Sequence, residues 1–208
     1  MRQYLPIFFL LISILFSAGC SPTRGLIKDS SAVIGSYGPV IDCNSGTVLY
    51  KSRMEAGKKQ FSGLFYFKSF PDSSCRIVLL SEFGLNLLDL EYRDHNFNVV
   101  TCKDFLDKKI ILNAFKSSLK LLIDLPEGYR RTGYFDQDGK LVVVKYKKPF
   151  KKYYYFYEND RPKRIVEKGF LKHTEVTAGE MKNAQPGDIS IDNKMIKLNI
   201  NFRQLKTE

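Results

Sequence analysis

The sequence VLLSEFGLNLLDL, residues 78–90, consists of two apolar runs joined by a short turn. Such runs, separated by a turn at Gly84, predict two antiparallel β-strands that form a hairpin. Phe83 precedes Gly84 in this turn, although turns are usually built from small and polar residues. Its large side chain either folds back onto the core, as isolated aromatics often do, or projects into solvent.

Alternation of apolar and polar residues continues along the chain from about Val40. Residues 59–70 and 86–92 alternate in this way, and the clearest case is MIKLNINFR at residues 195–203. Successive side chains of a strand point to opposite faces, so each strand buries one face and exposes the other. The pattern therefore predicts one antiparallel sheet with a continuous apolar face.

One segment, residues 101–125, replaces the alternation with helical spacing. A Thr-x-x-Asp capping signature at Thr101 and Asp104 precedes it, and Pro126 follows its end. Asn113 divides the segment, in one interpretation, into two shorter helices. Because the segment is amphipathic, we expect it to cover the apolar face of the sheet. The predicted fold class is α+β, mainly β.

The first twenty residues determine the expected compartment. Arg2 precedes an apolar core from Leu5 to Phe16, and small residues follow before Cys20. The pattern predicts a cleavable export signal over residues 1–19, because the apolar run is shorter than the roughly 20 residues of a membrane-spanning helix. The position of Cys20 after Ser-Ala-Gly resembles the signal of bacterial lipoproteins, which implies a mature N-terminal cysteine that carries acyl chains.

Ser21 follows this cysteine, where lipoproteins retained in the inner membrane of enteric bacteria carry aspartate. The resemblance therefore implies a lipid-anchored protein of the outer membrane that faces the periplasm. Residues 20–39 are rich in Ser, Gly and Pro, which predicts a flexible tether behind the lipidated cysteine. Residues 40–208 form the predicted single domain, and the hydrophobic content of 44% is sufficient for a core.

The chain is strongly basic. Cleavage removes Arg2 alone from the 33 basic residues and leaves 32 against 22 acidic residues. We expect no nucleic-acid partner for an exported protein, whereas anionic lipid head groups or an acidic partner suit this charge. A generally soluble basic surface is the other interpretation. Residues 145–164 contain many lysines and aromatic residues. They are predicted to form two outer strands of a hairpin that turns at residues 158–162, where the lysines discourage pairing with other strands. Contact with phospholipid head groups is a predicted secondary role of this hairpin.

Three cysteines, Cys43, Cys75 and Cys102, remain after the lipidated one, and an odd number cannot all pair within the chain. Export permits a disulfide, but the sequence cannot choose the pair, and three unpaired thiols are the favoured interpretation.

No metal site is expected, since His95 and His173 stand alone. Motifs of a catalytic serine, a zinc protease or a phosphate-binding loop are absent, so we expect neither a cofactor nor an enzyme.

The order of the elements resembles that of LolB, the outer-membrane receptor for lipoproteins. In that family a strand with an Arg-x-x-Leu pattern enters a turn with an apolar residue before Gly, and the next strand ends in Leu-acid-Leu. LLIDLPEG is similar to the Leu-Pro-Gly ending of the family's helical segment, and residues 188–205 resemble its final hairpin. The matching positions are Arg76, Leu79, Phe83, Gly84, Leu88, Asp89, Leu90, Leu125, Pro126 and Gly128.

This resemblance covers about residues 40–205 and implies an incomplete antiparallel β-barrel with a hydrophobic concave face covered by inserted α-helices. It implies a monomer that accepts acylated lipoproteins from a periplasmic carrier, LolA, and inserts them into outer-membrane lipids. The acyl chains require an apolar cavity, because exposing them to water costs about 0.8 kcal/mol per methylene. The expected lining is the apolar face of the strands: Phe65, Phe67, Leu88, Leu90, Val142, Val144, Leu198 and Ile200.

Phe83 and Gly84 occupy the position where LolB-like proteins carry a protruding apolar residue that pushes cargo into the membrane. The resemblance thus implies a membrane-insertion role for this hairpin tip. The other hypothesis is a non-catalytic structural or interaction lipoprotein of the cell envelope. A cavity among the apolar side chains favours transport, and a filled, close-packed interior favours the scaffold.

Overall fold

The structure is a computed structural model that describes residues 22–30, 37–43, 46–72, 74–104, 106–170 and 173–205. The predicted signal peptide and Cys20 lie outside these described residues. Within them, no helix combines the length and the apolar character that a membrane crossing requires.

Short strands form most of the described chain. Six of them precede a single helix in the sequence and nine follow it. They are β1 (Ile27–Asp29), β2 (Thr47–Ala56), β3 (Lys59–Ser69), β4 (Cys75–Ser81), β5 (Asn86–Arg93), β6 (Asn96–Cys102), β7 (Arg130–Phe135), β8 (Leu141–Lys148), β9 (Lys151–Glu158), β10 (Arg161–Gly169), β11 (His173–Ala178), β12 (Met181–Lys182), β13 (Gln185–Pro186), β14 (Asp188–Asn193) and β15 (Leu198–Gln204).

Thirteen of these strands form one antiparallel sheet in the order β1-β7-β8-β9-β10-β11-β14-β15-β2-β3-β4-β5-β6, while β12 pairs with β13. Strands β1 and β6 are the two edges and have no pairing with each other in the described ranges, so the sheet does not close. The predicted mainly β fold with a large antiparallel sheet is confirmed. The strands predicted as outer, β9 and β10, lie inside the sheet because β8 and β11 flank them.

The apolar face of the sheet carries the core. Tyr50, Phe65 and Phe202 come from three neighbouring strands and are fully buried or nearly so. The Phe65 and Phe202 ring centroids are 5.0 Å apart in an edge-to-face arrangement, which aromatic pairs prefer. The Tyr50 hydroxyl donates to the Pro186 carbonyl at 3.0 Å, so its burial leaves no unsatisfied polar group.

Helix α1 (Lys109–Ile123) lies on this apolar face. Because it is the one helix among the described residues, the expected plural helices are corrected to one. The helix begins later than the signature at Thr101 predicts, since that residue belongs to β6, which pairs with β5. Asn113 does not interrupt it, because the helix is fixed by its buried face: Ala114, Phe115, Ser118, Leu119, Leu121, Leu122 and Ile123.

Parts of the segment predicted as a flexible tether are ordered against the sheet. Ile27–Asp29 forms β1 and pairs with β7. Tyr37 packs on Tyr157 with ring centroids 4.7 Å apart. Just beyond the tether, the Ile41 backbone N–H donates to the Leu122 carbonyl of α1 at 2.8 Å. These contacts satisfy backbone and apolar groups that a solvated tether would leave to water.

A disulfide joins Cys43 to Cys75, whose Cα atoms are 5.8 Å apart. The interpretation of three unpaired thiols is therefore wrong, and Cys102 alone is free among the described cysteines. Sequence spacing could not choose this pair, because the two residues meet only when the chain before β2 folds back beside the start of β4. Partial burial raises the pKa of the Cys102 thiol.

Replacing both Cys43 and Cys75 by serine should lower the free energy of unfolding by about 3 to 4 kcal/mol, because the bond restricts the unfolded chain over a separation of 32 residues. Urea unfolding of the oxidised protein measures this loss. Cys102→Ser serves as the matched control and should change the free energy by less than about 1 kcal/mol. A double variant as stable as the wild type contradicts the structural role of the bond.

Candidate functional site

The β4–β5 turn is a tight hairpin loop held by one side chain. The Ser81 hydroxyl accepts hydrogen bonds from the backbone N–H groups of Phe83 at 3.3 Å and Leu85 at 3.0 Å. Gly84 donates its N–H to the Ser81 carbonyl at 3.0 Å and has a φ of 78°. A positive φ is easily adopted by glycine, and this geometry is typical of a three-residue hairpin loop.

Phe83 projects from this loop into solvent. Its side chain is 92% exposed, and Leu85 beside it is 63% exposed. The interpretation in which Phe83 folds back onto the core is therefore excluded. Burying a phenylalanine contributes about 1.5 to 3 kcal/mol, so two apolar side chains left in water at one turn mark a surface suited to an apolar partner or a membrane.

The hairpin behind Phe83 is stiffened by a bidentate ion pair. Arg76 on β4 donates from Nε to Asp89 on β5 at 2.5 Å and from an Nη atom at 2.9 Å. The hydrogen bond to Asp89 raises the pKa of Arg76. These are the arginine and the acidic residue of the motif compared above with LolB. They hold the two strands that carry the turn in one register.

An apolar pocket of about 300 Å³ opens where α1 meets the β2–β3 hairpin. Three lysines, Lys58, Lys59 and Lys108, belong to its lining, and all three are exposed. The alternation of β2 points Met54 and Ala56 toward α1, and the first turns of the helix close the other side. Its apolar lining residues are Met54, Ala56, Phe61, Leu106, Ile111, Phe115 and Leu198.

Leu198 is the one residue of the predicted cavity lining that this pocket contains. Six other predicted residues face the concave side but are at most 1% exposed and packed in the core. They do not line this pocket, because α1 side chains such as Phe115 and Leu119 fill the space above them. The six are Phe65, Phe67, Leu88, Leu90, Val144 and Ile200.

Val142, also predicted to line the cavity, lies on the opposite face of the sheet from the main core. It packs against a separate cluster of Tyr134, Val143, Tyr154 and Val166, away from the main core that contains Val144. The pairing of β7 with β8 shifts register between Tyr134 and Phe135, opposite this part of β8. A bulge of this kind moves the following side chain to the other face, which simple two-residue alternation does not foresee.

Most of the pocket lining was missed at the sequence level. TVLYKSRMEA, the sequence of β2, alternates between exposed and buried positions and ends in Met54 and Ala56. That alternation was the available signal for these two residues. Leu106 and Ile111 lie before and within the first turn of α1. Their approach to β2 depends on where the helix sits, which periodicity alone does not determine.

A larger depression, of about 900 Å³, lies elsewhere, mainly on the polar face of β2, β3, β14 and β15. Lys51, Arg53 and Arg203 line it together with Glu82 and Asp188. Charges of both signs and open solvent access suit a hydrated surface better than an acyl chain. The smaller apolar pocket is therefore the better candidate for a lipid site, despite its size.

A third pocket of about 300 Å³ lies between the end of α1 and β9. Glu167 is almost completely buried there and pairs with Lys151 at 2.8 Å. Burial is the largest single influence on Lys151 and lowers its pKa, but the hydrogen bonds and charge interactions with Glu167 and Tyr153 together outweigh it and raise the pKa above its ordinary value. Burial also raises the pKa of Tyr153 and Tyr155. Lys151 therefore stays protonated at neutral pH and remains paired with Glu167.

Among the residues that the structure describes, no group of three or more His, Cys, Asp and Glu side chains is arranged to hold a metal ion. His95 lies 3.1 Å from Asp124 and 3.0 Å from Glu127 at the rim of the third pocket. These contacts link the β5–β6 turn to the end of α1, so the histidine has a structural role there.

No protein-family model matches the chain, and no curated protein matches it. Its neighbours among solved structures include a LolA superfamily protein. One from Nitrosomonas europaea is 7% identical, with a TM-score of 0.49 over 77% of this chain and 83% of its own. An outer membrane lipoprotein-sorting protein domain from Vibrio parahaemolyticus is 9% identical, with a TM-score of 0.47 over 79% and 86%.

A DUF1329 family protein from Desulfovibrio piger is a third neighbour, 7% identical, with a TM-score of 0.35 over 77% of this chain and 84% of its own. Identities this low and TM-scores below 0.5 say nothing about the ligand or the partner of this chain.

Proposed function

We propose that this protein is a lipid-handling lipoprotein that accepts the acyl chains of other lipoproteins and inserts them into the outer membrane. The apolar pocket beneath the start of α1 is the observation that supports this function most directly. Its apolar walls suit an acyl chain, and the ammonium groups of Lys58, Lys59 and Lys108 suit an anionic or polar group at the end of that chain.

The volume of about 300 Å³ is at the lower limit for ligand pockets, so a long acyl chain requires the pocket to widen. The start of α1 is the element best able to move. Lys108 at the N-cap position makes no side-chain capping hydrogen bond, and the first turn contains no acidic residue. A capping hydrogen bond and an acidic residue in the first turn normally stabilise the N-terminus of a helix. Because this helix has neither, its start is held mainly by apolar contacts.

We assign delivery of the acyl chain into the membrane to the turn that carries Phe83. Neighbouring strands are antiparallel, so the chain turns at the same end of the sheet at three places: the β2–β3 turn, the β4–β5 turn and the connection from β6 to α1. The pocket and the exposed Phe83 therefore lie at the same end of the sheet. A phenylalanine that enters the membrane interface there would bring the pocket close to lipid.

Cys20 is the proposed lipid anchor, with the domain facing the periplasm from the outer membrane and a LolA-like carrier as the donor of cargo. A single protomer suffices, because the pocket and the Phe83 turn belong to one chain. The acyl chains on Cys20 would keep the pocket near the acceptor bilayer, since several chains on one cysteine anchor a protein firmly.

The structural or interaction lipoprotein is the second candidate, and one observation favours it. Six of the eight predicted lining residues are packed in a filled core, as expected for a solid scaffold. The two functions differ in their action on other lipoproteins of the same cell. A carrier must act on those lipoproteins, whereas a scaffold has no such requirement.

Depletion of the protein in its own cells tests the proposed function. We expect other lipoproteins to accumulate outside the outer-membrane fraction when the membranes are separated and probed. Restoring the wild-type chain should reverse this, whereas a Cys20→Ala variant, which cannot be lipidated, should not. Normal lipoprotein localisation in depleted cells without a redundant copy contradicts the transport function.

A further inference from the structure

A row of basic residues crosses four neighbouring strands on one face of the sheet. Arg130 on β7 pairs with Lys147 on β8, which pairs with Lys152 on β9, which pairs with Lys168 on β10. Residues directly opposite each other in register point to the same face, so the four exposed side chains form a continuous basic row.

No carboxylate balances this row. In the part of the chain that the structure describes, none of the four side chains takes part in an ion pair. Glu167, the nearest acidic residue in sequence to Lys168, faces the opposite side and pairs with Lys151. Like charges directly opposite one another destabilise a sheet, so the row has a cost that an external anion would offset.

Two phenylalanines lie at the ends of the same strands. Phe150 directly precedes Lys151, Phe170 directly follows Gly169, and Lys151 pairs with Gly169 across β9 and β10. The two phenylalanines therefore lie next to neighbouring strand ends at one end of the sheet, and each is 88% exposed. Phe150 has a φ of 62°, a conformation that Gly or Asn usually adopts, so the turn holds a bulky aromatic where it is sterically unfavourable.

We infer that this basic row and its two phenylalanines form a docking surface for an anionic phospholipid bilayer, separate from the Phe83 turn. Lysines and arginines near an anionic membrane attract its surface charge, and aromatic side chains enter the interfacial region. The clustering of four uncompensated positive charges beside two exposed aromatics matches that chemistry. The surface shares no residue with the apolar pocket, so vesicle docking and acyl-chain binding can be measured separately.

Tryptophan fluorescence tests the insertion, since the natural chain contains no tryptophan. Phe150→Trp and Phe170→Trp, made separately in the full chain, should shift their emission to shorter wavelength when vesicles of phosphatidylcholine and phosphatidylglycerol are added. Brominated phosphatidylcholine should quench both. Val100→Trp, on the edge strand β6, is the matched control, because Val100 is also exposed but lies outside the surface. Its emission should change little.

Charge removal tests the role of the row. Each lysine near an anionic surface contributes a factor of about five to partitioning, so Lys147, Lys152 and Lys168 changed together to glutamine should lower the preference for anionic vesicles by roughly 100-fold. The readout is the ratio of partition coefficients with and without phosphatidylglycerol, which cancels any contribution of the N-terminal segment. Exposed Lys28, Lys103 and Lys140 changed to glutamine are the control with equal net charge.

Two results would overturn this inference. One is an unchanged emission of the Phe150→Trp and Phe170→Trp chains on vesicles that contain phosphatidylglycerol. The other is an equal loss of binding in both triple variants, because net charge rather than this surface would then govern the interaction. Failure of acyl-chain transfer with normal vesicle docking would count against the proposed function alone.

Discussion

Phe83→Glu should bind acyl chains as tightly as the wild type and deliver them into lipid vesicles at least about tenfold more slowly. The side chain lies in solvent on a turn that Ser81 and Gly84 hold by backbone contacts, so its replacement does not affect the core. Transfer of a phenylalanine into an apolar environment contributes about 1.5 to 3 kcal/mol, and every 1.4 kcal/mol corresponds to a factor of ten. A carboxylate removes this contribution and adds a desolvation cost.

The measurement uses an acylated lipopeptide with a fluorophore that is quenched on the protein and bright in vesicles. Phe83→Leu keeps an apolar tip and should deliver the lipopeptide at close to the wild-type rate. Val100→Glu places the same charge at another exposed apolar position and should have little effect. If Phe83→Glu and Phe83→Leu deliver equally well, the turn has no role in insertion.

Ala56→Phe should abolish most acyl-chain binding while the fold remains intact. Ala56 is the last residue of β2 and lines the apolar pocket, so a benzyl group there occupies space otherwise open to the ligand. If it displaces about four methylenes at about 0.8 kcal/mol each, affinity falls by roughly 3 kcal/mol, or about 100-fold. Titration with a fluorescent fatty acid measures this loss.

Thr47→Phe is the matched control, because it adds the same ring to the exposed start of the same strand. It should leave fatty-acid affinity unchanged. Ile111→Phe fills the pocket from the helix side and should reproduce the effect of Ala56→Phe if the pocket is the binding site. Thermal unfolding of all three variants shows whether the fold has been retained. Full affinity in a folded Ala56→Phe protein contradicts binding in this pocket.

Local patterns were enough to predict the sheet and the Phe83 hairpin. Strands such as β15 bury Leu198, Ile200 and Phe202 and leave the asparagines between them partly or fully exposed, so burial and sequence follow the same period. The turn at Gly84 is likewise local, because its positive φ and its hydrogen bonds involve residues 81–85 alone. Exposure of Phe83 is the consequence of that turn, although the sequence left two orientations open.

Features that depend on distant partners were beyond the sequence. The capping signature at Thr101 was overridden because pairing with β5 extends β6 to Cys102. The face of Val142 changed because of a register shift in the neighbouring pair of strands. The pocket itself exists only where the start of α1 meets the end of β2, and no periodicity specifies the gap between two packed elements.

Photochemical labelling of the full chain with a diazirine-bearing fatty acid examines the site itself. After irradiation and digestion, mass spectrometry locates the modified peptides. Labels should fall within residues 54–61 and 106–115, the two segments that contribute most of the pocket lining, and excess palmitate should suppress them. Labels absent from both segments, or unaffected by palmitate, contradict an acyl-chain site beneath α1.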